Sequence, residues 1–141
     1  MADNGSDFAR SMSIATSGLR AQAGRMRVIS ENIANAESTA PTAGGDPYRR
    51  KVPTFSSALD RSLDARVVTL GKIRPDQSAF RVKHEPGNPA ADPAGNVKYP
   101  NVNPLVEMTD MREAQRSYEA NLNIISATRR MIQRTLDILK A

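Results

Sequence analysis

The sequence predicts a mainly α-helical protein with a small β/loop centre, in which long N- and C-terminal helices form a coiled-coil-like pair. Apolar residues recur at steps of three and four near both ends of the chain. All nine prolines lie between Pro41 and Pro104, together with five of the eight glycines. Because proline interrupts helices, the chain divides into an N-terminal helix segment 1–39, a Pro/Gly-rich middle 40–103 with short strands, and a C-terminal helix segment 104–141.

The N-terminal segment carries a heptad seam, in which apolar positions alternate at steps of four and three residues. Its members are Phe8, Met12, Ala15, Leu19, Gln22, Met26, Ile29 and Ile33. The polar Gln22 either fixes the register within the seam or lies at its edge, with Ala23 turned inward. Ser6 or Asp7 is a suitable N-cap. The helix should end near Asn35, because asparagine tolerates the left-handed conformation that follows a helix.

The C-terminal segment predicts a helix from Asn103 or Pro104 to the last residues, since proline is tolerated in a first helical turn. It carries two adjacent apolar stripes. The first consists of Tyr118, Leu122, Ile125, Ile132, Leu136 and Leu139, and the second of Ile124, Thr128, Met131, Thr135 and Ile138. Together they make a face wider than one partner helix covers.

One stripe should therefore remain available for contacts with further copies or related chains. Head-to-tail contacts that do not close would generate a helical tube. The candidate subunit-interface residues are Met12, Ala15, Leu19, Met26, Ile29, Ile33, Tyr118, Leu122, Ile125, Met131, Ile132, Leu136 and Leu139. The alternative, on periodicity alone, is that both segments are ordinary core helices of a bundle.

The middle segment predicts short strands and turns. Residues 48–55, 66–73 and 79–83 are strand candidates. Residues 86–103 predict a loop with little regular structure, because they contain Pro-Gly, Asp-Pro and Ala-Gly-Asn turn signals.

The composition excludes several kinds of site. The chain has no cysteine and one histidine, His84, which excludes disulfides, thiolate metal sites and histidine clusters. No nucleophile accompanies His84 in sequence, so we expect no catalytic site, no metal and no cofactor. The net charge of +5 permits an acidic partner without requiring one, and we expect neither nucleic acid nor a small-molecule substrate. The polar N-terminus lacks the basic start and apolar stretch of a cleaved secretory signal.

Asn32 and Asn35 fall in the last turn of the first predicted helix. Their amides can pair with carbonyl groups that the helix end leaves unpaired, or they can bridge to a neighbouring segment. An ordinary helix cap is the favoured interpretation of the two.

The segment from Ser30 to Ser38, SENIANAES, resembles the N-terminal motif of the bacterial flagellar axial proteins, the rod, hook and hook-associated family. Further stretches resemble its proximal-rod members, at residues 47–49, 85–89, 97–102, 107–108 and 116–121. The family-motif residues are Ser30, Asn32, Ala34, Asn35, Pro47, Tyr48, Arg49, Glu85, Pro86, Gly87, Asn88, Pro89, Pro100, Asn101, Ser117, Tyr118 and Asn121.

This resemblance implies a structural, non-enzymatic subunit of the flagellar basal-body rod, the hollow shaft that transmits torque. It implies termini that become helical in the assembly, and export through the flagellar type III channel to the periplasmic rod without a cleaved signal. The implied partners are further copies, other proximal and distal rod proteins, and the export-gate and ring components.

Overall fold

The computed structural model describes residues 4–140, with side chains from Asp7 onward. Two long helices flank six short strands along the chain, which confirms the predicted order of elements. The elements are α1 (Asn4–Ala34), β1 (Lys51–Val52), β2 (Phe55–Asp60), β3 (Ala65–Leu70), β4 (Arg74–Pro75), β5 (Arg81–His84), β6 (Asn96–Tyr99) and α2 (Pro104–Lys140). Within residues 4–140, neither helix is apolar enough over a sufficient length to cross a membrane.

The start of α1 differs from the prediction. The helix begins at Asn4, so Ser6 and Asp7 lie inside its first turn and neither is the N-cap. α2 begins at Pro104 as predicted. Asn103 caps it, because Asn103 Oδ1 accepts a hydrogen bond from the Leu105 backbone N–H at 3.1 Å.

Gln22 occupies the seam of α1 itself. The alternative that turns Ala23 inward is wrong, because Ala23 is exposed whereas Gln22 is half-buried. The Gln22 Oε1 atom is buried and has no hydrogen-bond partner among the described residues, so this residue weakens the packing of the seam.

The strands form three separate antiparallel pairs, β1 with β4, β2 with β3, and β5 with β6. The predicted strand at 66–73 corresponds to β3, and the one at 79–83 to β5. The predicted strand at 48–55 is shorter than expected, since only Lys51–Val52 is extended before Pro53. The prediction of an irregular loop over 86–103 is wrong, because Asn96–Tyr99 forms β6.

The local sequence explains the missed strand. The turn signals between residues 86 and 95 make the connection between β5 and β6. That connection ends at Gly95, whose φ of +81° suits glycine. The following residues pair with β5 in a register that joins Arg81 to Tyr99 and His84 to Asn96. Such pairing between distant residues gives no signal in a short sequence window.

The chain forms two compact units. The hairpin unit consists of residues 4–26, 54–72 and 113–140. In it, β2 and β3 form a hairpin that lies against α1, because a Cβ added at Gly24 would lie 2.6 Å from Leu70 Cδ2. The two helices run antiparallel here: Arg25 forms an ion pair with Glu113 at 3.3 Å, and Gly18 lies against the side chain of Asn121.

The hub unit consists of residues 27–53 and 73–112. Its apolar core is small and centres on Ala90, Val97 and Tyr99. The fully buried side chains of the molecule nevertheless include two polar ones, Asn32 and Glu107. Because buried polar groups are costly unless they are hydrogen-bonded, the partners of these two residues determine the stability of this unit.

Candidate functional site

Asn32 is the centre of a buried polar cluster in the hub unit. Its Nδ2 donates to the Lys51 carbonyl oxygen at 2.8 Å and to Glu107 Oε2 at 3.1 Å. Its Oδ1 accepts from the Tyr48 hydroxyl at 2.8 Å and from the Lys51 backbone N–H at 2.9 Å. One amide side chain therefore joins α1, the segment at β1 and the first turn of α2, with its donors and acceptors all paired.

Arg50 completes the cluster from the opposite side of Glu107. Its Nε donates to Glu107 Oε1 at 2.6 Å, and its other nitrogens lie 3.4 Å from Asp76 Oδ2 and 3.9 Å from Asp110 Oδ2. Desolvation alone would lower the pKa of Arg50, but hydrogen bonds and charge from Glu107 and Asp76 outweigh it and raise the pKa. The guanidinium therefore remains charged and compensates the buried carboxylate of Glu107.

Asn101 fixes the backbone on either side of this ion pair. Its Oδ1 accepts from the Arg50 backbone N–H at 2.8 Å. Its Nδ2 donates to the Asp76 carbonyl oxygen at 3.1 Å and to Ser78 Oγ at 2.8 Å. Backbone and side-chain hydrogen bonds from Ser78 lower the pKa of Asp76, with a smaller contribution from Arg50. We call Asn32, Tyr48, Arg50, Asn101 and Glu107 the polar hub.

A second polar cluster lies where β5 turns into the connection to β6. Glu85 Oε2 accepts from the Tyr99 hydroxyl at 2.9 Å and from Asn88 Nδ2 at 3.1 Å. The hydrogen bonds from Asn88 and Tyr99 lower the pKa of Glu85, whereas the hydrogen bond to Glu85 raises the pKa of Tyr99. The Lys83 ammonium lies 4.6 Å from the centre of the Tyr99 ring, so this cluster closes the β5–β6 turn.

The structure brings together part of the predicted family motif. Asn32, Tyr48 and Asn101 belong to the polar hub. Arg49 donates to the Asp76 and Ser78 carbonyl oxygens, which also accept hydrogen bonds from Asn101 Nδ2. Glu85 and Asn88 form the second cluster, away from Asn32. The exposed motif residues are Ser30, Ala34, Pro86, Gly87 and Pro89, the buried ones are Pro47 and Pro100, and Ser117, Tyr118 and Asn121 are half-buried on α2.

The two asparagines of α1 have different roles. Asn35 Nδ2 donates to the Glu31 carbonyl oxygen at 2.8 Å, so the interpretation as a helix cap is confirmed for Asn35. The same interpretation is wrong for Asn32, which bridges to Lys51 and Glu107. Sequence reasoning did not place Arg50 or Glu107 in a buried cluster, although Glu107 belongs to the stretch 107–108 that resembles the family. One pattern could have indicated that Glu107 is buried: it lies 7 and 21 residues before Ala114 and Thr128, so the three share one face of α2, and all three are buried.

The candidate interface residues range from buried to exposed in a single chain. On α1, Ala15 and Ile29 are buried, and Met12, Leu19, Met26 and Ile33 are half-buried. On α2, Tyr118, Ile125 and Ile132 are half-buried, whereas Leu122, Met131, Leu136 and Leu139 are exposed.

His84 lies exposed on β5, with its Nδ1 3.3 Å from Asn96 Oδ1. Among residues 4–140, no group of acidic or histidine side chains is arranged to hold a metal ion. The clusters of the hub unit consist of mutually paired polar groups, an arrangement that holds segments of chain in fixed positions.

Comparisons with known proteins agree with this description. Residues 12–40 match a family model described as flagella basal body rod protein, and residues 94–138 match one described as flagellar basal body rod FlgEFG protein C-terminal. A flagellar basal-body rod protein FlgC from Agrobacterium fabrum is 55% identical over 128 residues, covering 91% of this chain and 92% of that protein.

Relatives of the same name in Bacillus subtilis and Salmonella typhimurium are 38% and 37% identical. They cover 92% and 89% of this chain, and 97% and 92% of their own lengths. The first family model spans Asn32, and the second spans Asn101 and Glu107, which lie together in the polar hub. The chain belongs to the FlgC family of flagellar basal-body rod proteins.

Proposed function

We propose that this chain is a structural subunit of the proximal rod of the bacterial flagellar basal body, which polymerises by helix packing into the hollow, torque-transmitting shaft. The observation that carries the proposal is the apolar face that α2 leaves exposed in a single chain. Its members are Ile124, Met131 and Ile138 of the second stripe, which recur at steps of seven residues, and Ile138 is 76% exposed. Apolar strips of this length are unusual on a soluble monomer and are typical of interfaces.

A coiled-coil-like pair of α1 and α2 forms the axial core of the subunit, from segments 1–39 and 104–141. The contacts of Arg25 with Glu113 and of Gly18 with Asn121 support an antiparallel pair. The buried positions 107, 114 and 128 of α2 recur at multiples of seven residues, the spacing of a coiled-coil seam. This pairing covers one side of α2 and leaves the exposed face to neighbouring subunits, whereas the middle segment 40–103 contacts adjacent subunits outside the core.

The partners in this proposal are further copies of the chain, the other proximal and distal rod proteins, and the export-gate and ring components. The role is structural and requires neither catalysis nor a cofactor. In this proposal the chain reaches the periplasmic rod through the flagellar type III channel. Helices whose stability comes from packing are weak in isolation, so the exposed end of α2 becomes fully ordered when it docks on neighbouring subunits.

Met131→Asp tests the proposal, with Gln133→Asp as the matched control. Both residues are exposed on α2, but Met131 lies on the apolar face and Gln133 on the polar side. A carboxylate at Met131 would have to be buried without a partner on assembly. We expect Met131→Asp to abolish motility and incorporation into purified basal bodies, while the circular dichroism of the isolated chain stays unchanged. Normal incorporation of Met131→Asp, or equal loss in Gln133→Asp, would refute the role of this face.

A further inference from the structure

The C-terminal half of α2 carries a second heptad seam, which we call the outer seam. Its positions alternate at steps of four and three residues and are Ala120, Ile124, Ala127, Met131, Arg134 and Ile138. Ala127 is half-buried in the single chain, and the other five are exposed. The outer seam is about 27 Å long at 1.5 Å per residue. A seam of this spacing and length is typical of a surface that packs against one partner helix.

One position of the outer seam carries a charge. Arg134 lies three residues after Met131 and four before Ile138, so the three side chains share one face of the helix. When a partner helix covers this face, the guanidinium lies between apolar side chains, and a buried cation is costly without a carboxylate partner. A single polar residue at a seam position also specifies the register of a coiled coil. The helix that fits this seam therefore presents Asp or Glu opposite Arg134.

The residues along one side of the outer seam have the same sign of charge. Arg116, Asn123 and Arg130 follow one another at steps of seven residues, and all three are exposed. Such flanking positions form the ion pairs between the helices of a coiled coil. The acids on this side of α2, Glu119 and Asp137, lie farther from the seam than the arginines do. A complementary helix therefore carries acidic residues along its matching flank as well.

The helices of this chain do not supply that complement. The outer seam itself contains no acid, so two outer seams that pair in parallel and in register set Arg134 opposite Arg134. The described side chains of α1 include two acids, and both are already paired: Asp7 with Arg10 at 3.7 Å, and Glu31 with Lys51 at 2.9 Å. The chain as a whole has a net charge of +5. Charge complementarity therefore favours a helix of a different protein over a second copy.

We propose that the outer seam of α2 binds an amphipathic helix of a different protein, which packs an apolar row against Met131 and Ile138 and places an Asp or Glu opposite Arg134. The inference rests on the proposed function and deepens it, because it gives the chemistry of the neighbour that covers this face. The contact joins two different surfaces and needs no two-fold axis, so it is compatible with an assembly that does not close.

Charge reversal in the seam tests the proposal. Arg134→Glu sets two carboxylates against each other, so we expect its incorporation into purified basal bodies to fall about tenfold or more. Arg129→Glu is the matched control, since Arg129 is exposed and lies about 140° around the helix from Arg134, and it should incorporate like the natural chain. Normal incorporation of Arg134→Glu alongside loss of Met131→Asp would keep the apolar interface of the proposed function and overturn the acidic partner. Equal loss in Arg129→Glu would also overturn it.

Arg134→Leu distinguishes an acidic partner from a purely apolar one. Leucine completes the apolar seam, so a partner without an acid would bind this variant as well as the natural chain or better. A partner with an acid opposite Arg134 would bind it less well, because its carboxylate is left buried without a cation. Since Arg134 is exposed in the single chain, neither substitution disturbs the packing of the isolated subunit. We expect reduced incorporation of Arg134→Leu, and incorporation at or above the natural level would overturn the proposal.

A photo-cross-linking residue at Ala127 identifies the partner helix in cells, because Ala127 lies in the outer seam one heptad before Arg134. We expect the cross-linked peptide to come from a different protein and to carry Asp or Glu one heptad along its helix. Reversal of that acid to Arg is expected to restore the incorporation of Arg134→Glu. A cross-linked peptide of this same chain, a partner helix without an acid at that position, or a reversal that does not restore incorporation would each refute the proposal.

Discussion

Arg50 and Glu107 form an ion pair in which Arg50 Nε lies 2.6 Å from Glu107 Oε1, while the Glu107 side chain is 1% exposed. The carboxylate also accepts a hydrogen bond from Asn32. Arg50 thus neutralises the charge of Glu107 at the first turn of α2, and Asn32, on a different segment, adds a hydrogen bond to the same carboxylate. The apolar core of the hub unit is small. Polar contacts therefore do much of the work of holding the start of α2 against β1 and the end of α1.

Arg50→Ala is expected to destabilise the hub unit by about 3 kcal/mol or more, because it leaves the Glu107 carboxylate buried without its cation. Urea unfolding followed by tyrosine fluorescence measures this loss, since Tyr48 and Tyr99 lie in the hub unit. Arg112→Ala is the control, as Arg112 is exposed on α2, and it should leave the free energy of unfolding nearly unchanged. Similar losses in the two variants would mean that the ion pair does not stabilise this unit.

The two asparagines of α1 should respond differently to alanine. Asn32→Ala removes four hydrogen bonds. It takes these partners from the Lys51 backbone and from Oε2 of the buried Glu107, so we expect a loss of about 2 kcal/mol or more. Asn35→Ala removes one bond to a helix carbonyl group and should cost about 1 kcal/mol. Chemical denaturation of the two variants under one set of conditions measures both. A larger effect of Asn35→Ala would contradict the central position of Asn32.

The sequence predicts the helices better than the polar hub for a physical reason. The apolar periodicity of α1 and α2 extends over many turns, so the type and approximate bounds of both helices follow from local pattern. The polar hub depends on contacts between residues 19 and 75 positions apart, such as Asn32 with Lys51 and with Glu107. No local window contains both partners, and each residue alone fits a capping or a solvent-exposed role.

The same distinction separates the strands. β3 is rich in β-branched residues and is recognisable by propensity. β6 follows a run of turn signals. Only the structure, in which the connection that ends at Gly95 brings residues 96–99 alongside β5, shows that these residues form a strand. Gln22 shows the same limit. The heptad pattern predicts that its side chain faces inward, but no feature of the sequence indicates that its buried Oε1 lacks a hydrogen-bond partner among the described residues.

Acid should weaken the hub unit through Glu85. The pKa of Glu85 is lowered from its usual 4.5 by hydrogen bonds from Asn88 and Tyr99. The stabilisation from the ionised form is therefore complete above the usual value and is lost as the pH falls through the lower folded value. We expect Glu85→Gln to show a smaller fall in the thermal midpoint between about pH 6 and pH 3 than the natural chain.

The same substitution bears on alkaline stability. The pKa of Tyr99 is raised above its usual 10.0, chiefly by the hydrogen bond to Glu85, so this contribution is complete below that value and is lost as the pH rises through the folded value. Glu119→Gln, on an exposed position of α2, controls for the change in net charge. If the thermal midpoint of Glu85→Gln follows that of the natural chain at both acid and alkaline pH, the Glu85–Tyr99 hydrogen bond does not contribute to stability.

Gly24 lies in α1 where Leu70 of β3 contacts the helix, and a Cβ at this position would lie 2.6 Å from Leu70 Cδ2. Gly24→Val raises the helix propensity of α1, but its side chain displaces Leu70 and separates the hairpin from the helix. We expect the overpacking to prevail and to cost about 2 kcal/mol, with faster amide exchange in β3. Ala23→Val adds the same branched side chain at an exposed neighbouring position and should leave exchange in β3 unchanged. Unaltered exchange in Gly24→Val would show that the glycine is not required for the helix–hairpin contact.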